Sequence, residues 1–117
     1  MIKNITKNTI ISSFPLFAET FFQRSTGLIV RKFEPQKMDA MIFFKCSSLH
    51  SFFMSYKFDI IFVDKSKKVI TLYKSAAPWR IFNSKCGLFQ NCTAIECPEK
   101  TIEQSNTQIG DIIEWNI

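Results

Sequence analysis

A single histidine, His50, rules out any metal centre built on two or three imidazoles and leaves one side chain that can act as an imidazole base. Three glycines, Gly27, Gly87 and Gly110, are too few and too dispersed for a phosphate-cradling loop, so nucleotide hydrolysis is not expected. No apolar run approaches the ~20 residues that a membrane-spanning helix requires. CxxC and HxxxH spacings are missing, and so are internal repeats, low-complexity tracts and linkers. Residues 1–117 therefore read as a single domain, large enough for one core and too small for two.

What is present is a core rich in phenylalanine. Thirteen Phe stand against two Tyr and two Trp, so many rings can be buried without placing a polar atom. The net charge of +5 suits an anionic partner, yet Lys and Arg run from Lys3 to Lys100 with acidic residues between them, and no basic stripe is visible along the chain. Lys65, Lys67 and Lys68, just after Asp64, read as a solvated turn rather than a phosphate site.

Cys46, Cys86, Cys92 and Cys97 read as reduced, small apolar packing residues with no metal among them. Cys92 and Cys97 lie an odd number of residues apart in one expected strand, so they point to opposite faces and cannot bridge each other. The N-terminal segment has lysines ahead of an apolar patch, but Ser12, Ser13 and Pro15 interrupt it and no small-residue cleavage site follows. A cytoplasmic protein is expected, with export unsupported by a clear signal peptide.

Turn and strand signals organise the rest. Thr20 to Gly27 suggests a short helix, Met41 to Phe44 a strand, and Leu49 to Met54 an alternating strand with His50, Phe52 and Met54 on one face. Ile60 to Val63 is a β-branched and aromatic run, as in a strand buried on both sides. Asp64 to Lys68 turns it back into Val69 to Tyr73. Cys92 to Cys97 forms a further strand ended by Pro98, Thr101 to Ser105 a helical turn, and Ile109-Gly110-Asp111 leads into a last strand, Ile112 to Trp115. The expected fold is mainly β (α+β), a small barrel-like sheet with one or two short helices.

The ordered set Arg24-x-x-Gly27-Leu28, His50-x-Phe52-Phe53-Met54, Asp59-Ile60-x-Phe62-x-Asp64, Pro78-Trp79, Glu96-x-Pro98 and Ile109-Gly110-Asp111 resembles a widespread prokaryotic family catalogued as domain of unknown function 192. The resemblance covers about residues 18–117. It implies a compact β-rich domain, often a stand-alone protein and sometimes exported, with no assigned activity. Lys67, Lys100 and Asn106 stand where that family usually has glycine, and Ile29 where methionine or leucine is common. Asn accepts left-handed backbone readily; lysine does so less comfortably.

Asp59 and Asp64 invite comparison with a catalytic carboxylate pair, but a straight strand sends them to opposite faces with Cα atoms ~16 Å apart. Asp64 fits the turn. Asp59 opens an apolar strand where a charge needs a partner, with Arg24 or His50 expected. Trp79, after Pro78, reads either as a plug at one end of the barrel or as a ring bordering a site. These considerations point to a non-catalytic module that binds a small molecule or a protein, with Arg24, His50, Asp59 and Trp79 converging on a shallow pocket or interaction surface. No cofactor, metal or catalytic residue is expected. The alternatives are a small hydrolase or transferase using His50 as general base, and a weak single-stranded nucleic-acid binder using Phe52, Phe53, Tyr56 and Phe58.

Overall fold

The computed structural model describes residues 1–18, 32–87 and 91–116. Its described elements are β1 (Ile2–Asn4), β2 (Thr9–Ser12), β3 (Pro15–Phe17), β4 (Ala40–Phe43), β5 (Ser48–His50), β6 (Phe58–Val63), β7 (Val69–Ala76), β8 (Ile81–Asn83), β9 (Thr93–Pro98), α1 (Thr101–Gln104) and β10 (Ile113–Trp115). The protein is mainly β, with one short helix among the described residues. The expected helix at Thr20 to Gly27 lies outside them.

A five-stranded sheet in the order β3-β4-β9-β6-β7 forms the centre. Its pairs are antiparallel except β3 with β4, which run parallel. A second sheet, β10-β1-β2, and a two-stranded ribbon, β5-β8, complete the described framework. Ladder pairing closes no barrel among the described residues. The alternation of side chains divides the core in two. Ala40, Ile42, Ile61, Val63, Ile95 and Cys97 face one side, where Ile2, Ile11 and Ile113 of the second sheet and Ile102 of α1 pack on them. Met41, Phe43, Ile60, Phe62 and Ala94 face the other, beneath Met38 and Met54, with Leu49 and Phe82 of the ribbon alongside. Strand β6 is buried along its whole length, as its unbroken apolar run requires.

The N-terminal segment belongs to this framework. β1 pairs with both β2 and β10, and Ile2 is fully buried. Asp111 fixes the far end of that sheet. Its carboxylate accepts hydrogen bonds from Asn4 Nδ2 at 2.9 Å, Lys7 Nζ at 3.0 Å and the Gln108 amide at 3.0 Å. Burial works against the charge of Asp111, but these donors outweigh it and hold the carboxyl below its ordinary range.

Strand β6 returns through the expected turn: Asp64 Oδ1 accepts the amides of Ser66 at 2.8 Å and Lys68 at 3.0 Å. Lys67, Lys100 and Asn106 all have positive φ, at 64°, 78° and 54°. The three positions where the resembled family has glycine thus take the backbone conformation that favours glycine. Lys67 recovers part of the cost by setting its ammonium 4.6 Å from the Trp115 ring centroid.

Two expectations fail here. Cys86 and Cys92 are joined by a disulfide, so the fully reduced reading is wrong for this pair. The alternation argument excluded only Cys92 with Cys97; both bonded cysteines precede the first residue of β9, Thr93, so the facing rule of a strand does not apply to them. Cys46 and Cys97 take no part in this bond; Cys97 is fully buried and its thiol pushed well up, first by burial and then by the Asp59 charge. The strand expected from Leu49 to Met54 stops at His50. Ser51 turns its amide to the Arg80 carbonyl and its carbonyl to the Met54 amide, and the chain bends at Phe52-Phe53.

Asp59 is the least expected part of the framework. It is fully buried on the α1 side of the sheet, and its partners are main-chain amides: Ser75 N–H to Oδ1 and Ile102 N–H to Oδ2, both at 2.9 Å. The β6–β7 register shifts here, with Phe58 opposite Ala76 and Ile60 opposite Tyr73. Asp59 therefore faces a bulge at Lys74-Ser75, where Ser75 has φ 53°, and its carboxylate satisfies the amide that the bulge releases.

Two stability predictions follow from these positions. Asp59→Asn presents an NH2 group to one of two amides and should cost about 2–3 kcal/mol; urea denaturation will measure it, and an unchanged midpoint would refute the clamp. Lys100→Gly relieves a left-handed lysine and should stabilise by about 0.5–1 kcal/mol, with a smaller gain for Lys67→Gly because the Trp115 contact is lost.

Candidate functional site

The ribbon β5-β8 covers one side of the central sheet. His50 pairs with Ile81, Leu49 with Phe82 and Ser48 with Asn83. Leu49 and Phe82 turn inward onto the core, which puts His50 and Ile81 together on the outer face. Beyond this pair two connections leave the ribbon, one through Phe52-Phe53 and the other through Pro78-Trp79.

Four rings meet at that end. His50 stacks on Phe52 with centroids 4.9 Å apart, Phe52 lies 6.1 Å from Trp79, and Phe53 meets Trp79 edge-to-face at 4.7 Å. Phe53 is 67% exposed, Trp79 55% and Ile81 63%. Trp79 is therefore no plug. Its ring stands in solvent against Phe53.

Phe53 and Trp79 both have left-handed backbone, φ 65° and 62°. Such geometry costs roughly 1–2 kcal/mol for a residue with a side chain and persists only where neighbouring bonds enforce it. Ser51 supplies those bonds. Its carbonyl accepts the amides of Met54 at 3.2 Å and Trp79 at 2.9 Å, its hydroxyl donates to the Ala77 carbonyl at 2.6 Å and accepts the Arg80 amide at 2.9 Å, and its own amide donates to the Arg80 carbonyl. One buried serine thus ties both ring-bearing loops together. Sequence reasoning passed over it, since a lone serine between His50 and Phe52 carries no local signal.

The four residues singled out from the sequence fare differently. Arg24 lies outside the described residues. His50 and Trp79 come together through Phe52. Asp59 does not join them: it lies on the opposite side of the central sheet, and two backbone amides satisfy it in place of the expected Arg24 or His50. His50 Nδ1 accepts the Phe52 amide at 3.3 Å, so its neighbours are a ring and a main-chain donor.

A second position went unweighed in the sequence. Glu96, in the middle of β9, is buried on the ribbon side of the sheet, with Met41 and Ile60 as its cross-strand neighbours. Burial raises its carboxyl from 4.5 to about 8. Tyr56 senses it: burial first, then the Glu96 charge, raises the phenol to about 12. A cleft of about 420 Å³ opens beside Tyr56, lined also by Phe33, Pro98 and Glu99. Another, of about 390 Å³, lies between Ile10, Asp39 and α1. Neither is lined by His50 or Trp79. The signal that could have found Glu96 is a lone acid inside the apolar run from Cys92 to Cys97.

Between pH 4.5 and about 8 the folded chain holds a proton on Glu96 that the unfolded chain releases, so stability should fall as pH rises across this window and level off above it. Urea titrations at pH 5 and pH 8 should show the chain losing a few kcal/mol relative to its Glu96→Gln variant. A constant difference between the two would mean that the carboxylate is already charged in the fold.

Comparison with known proteins places the chain. The profile of domain of unknown function 192, described as "Uncharacterized ACR", matches residues 5–115, so the match begins well before residue 18. A UPF0127 protein from Thermococcus sibiricus is 36% identical over 123 residues, covering 100% of this chain and 75% of the relative. One from Pyrococcus furiosus is 32% identical over 119 residues, covering 97% and 96%. In fold, the chain is similar to a crystal structure of a protein of unknown function from Novosphingobium aromaticivorans, with TM-score 0.70 and 20% identity over 86% of this chain and 74% of that one. A putative transcription regulator from Sinorhizobium meliloti gives TM-score 0.69 and 19% identity over 86% and 79%. The chain belongs to the domain of unknown function 192 family, and the two relatives above carry the name UPF0127.

Proposed function

We propose that this domain is a non-catalytic binding module whose contact surface is the ring cluster His50, Phe52, Phe53 and Trp79, extended by Ile81. One observation carries the reading: two large aromatic side chains are presented to solvent on left-handed residues, and a buried serine fixes both loops. Folding favours burying such rings and relaxing such backbone. Holding both against that tendency is what a surface kept ready for a partner requires, because a preorganised ring loses little freedom on binding.

His50 fits this role better than that of a base. Its ring is stacked on Phe52 and Nδ1 is occupied by the Phe52 amide, which orients the imidazole as part of the surface. Asp59 acts at one remove. By fixing the Ser75 bulge it directs β7 into the Pro78-Trp79 connection, so it serves as a positioning residue for Trp79.

The test is site-directed photo-crosslinking in cells that natively produce the chain. With Trp79 replaced by p-benzoylphenylalanine, irradiation should yield a discrete adduct; the same replacement at exposed Glu114, on β10, should not. Equal labelling from both positions, or none from position 79, would overturn the reading.

A further inference from the structure

Resting on this binding surface, we infer that its partner is an anionic lipid surface, engaged by the Phe53–Trp79–Ile81 tip and its basic surroundings. The charge distribution points there. Lys57, Lys74 and Arg80 are the basic residues on the segments that lead to the tip, whereas Lys65, Lys67 and Lys68 lie with Asp64 in the turn at the other end of β6. Asp59 is buried under two amides and Asp64 is folded into its own turn beyond the other end of β6. Neither aspartate therefore lies at the ring cluster, while exposed Glu99 lines a cleft together with Lys57. Arg80 follows Trp79 directly and folds its guanidinium back to the Trp79 carbonyl at 3.4 Å. Exposed Lys57 lies on the arm from Phe53 into β6, and exposed Lys74 on the arm from β7 into the Trp79 connection.

The arrangement of the tip selects among anionic partners. A single-stranded nucleic acid stacks its bases on open ring faces. Here Phe53 and Trp79 are edge-to-face, with 61° between their planes, so each takes up part of the other's stacking surface. Ile81, among the most exposed side chains at the tip, offers a base no π-face. A protein interface ordinarily engages about 20–30 residues a side, whereas this tip consists of a few protruding side chains. Tryptophan, phenylalanine and isoleucine projecting from a rigid turn, with lysine and arginine behind them, suit the boundary between headgroups and acyl chains: the rings enter the boundary and the cations meet lipid phosphate.

Sedimentation with vesicles of phosphatidylcholine alone, or of phosphatidylcholine mixed with phosphatidylglycerol, tests this. The intact chain should sediment with the mixed vesicles, more weakly with phosphatidylcholine alone, and less as salt rises. Phe53→Ala with Trp79→Ala should weaken binding by roughly tenfold or more, from the loss of two buried rings. Ile81→Glu, at an exposed position, should weaken it as well while leaving the near-ultraviolet dichroism of the core unchanged. Failure to sediment with the mixed vesicles, sedimentation indifferent to both sets of substitutions, or tighter binding to an oligothymidylate than to vesicles would overturn the lipid assignment. If the crosslinker at position 79 captures a protein and vesicles are not bound, the contact surface stands and the lipid assignment falls. If neither experiment gives a signal, both fall.

Discussion

The framework depends on carboxylate oxygens accepting backbone amides where strands bend or end. All four aspartates of the chain serve this purpose. Asp39 takes the amides of Ser13 and Phe14 and the hydroxyl of Ser12 before β3, and Asp64 closes the β6–β7 turn. Asp111 binds the start of the chain to its last turn, and Asp59 joins the β7 bulge to the first turn of α1. A buried amide without a partner costs roughly 1–3 kcal/mol, and a charged acceptor placed between two of them removes two such penalties at once. Short strands and irregular connections are thereby held without long ladders. Aspartate is also committed to structure, which leaves Glu96 as the buried glutamate among the described residues.

The two sides of the central sheet thus treat a buried acid in opposite ways. On the α1 side, Asp59 is held by two donors. On the ribbon side, Glu96 sits between Met41 and Ile60 and lowers its cost by keeping its proton. The sequence separates them only by context, one at the head of an apolar strand and the other at its middle. That difference decides which amides come within reach.

Legibility followed locality. The β6–β7 hairpin could be read because an unbroken β-branched run, a carboxylate and a lysine-rich turn are adjacent in sequence. The end of β9 at Pro98, the turn of helix after it and the bend at Gly110 were legible for the same reason. Left-handed backbone at Lys67, Lys100 and Asn106 became visible only through resemblance, since lysine itself gives no such signal. The partners of Asp59 were hidden because its donors, the amides of Ser75 and Ile102, are features every residue carries. His50 and Phe52 were expected to share one face of a strand running on to Met54. The strand ends at His50 instead, and the two rings stack where the Ser51 amide donates to the Arg80 carbonyl, a contact across 29 residues that no local pattern encodes. Of the four candidate residues, His50 and Trp79 come together through Phe52, while Asp59 lies on the opposite side of the central sheet.

The Cys86–Cys92 bond reaches beyond packing. It makes the chain covalently redundant across residues 87–91: a protease that cuts one peptide bond there produces two fragments in sequence but still one molecule. The β5-β8 ribbon on one side of the cut and β9 on the other remain tethered, so the piece carrying the rings and the piece carrying the sheet's central strand cannot diffuse apart until the sulfur bridge is reduced.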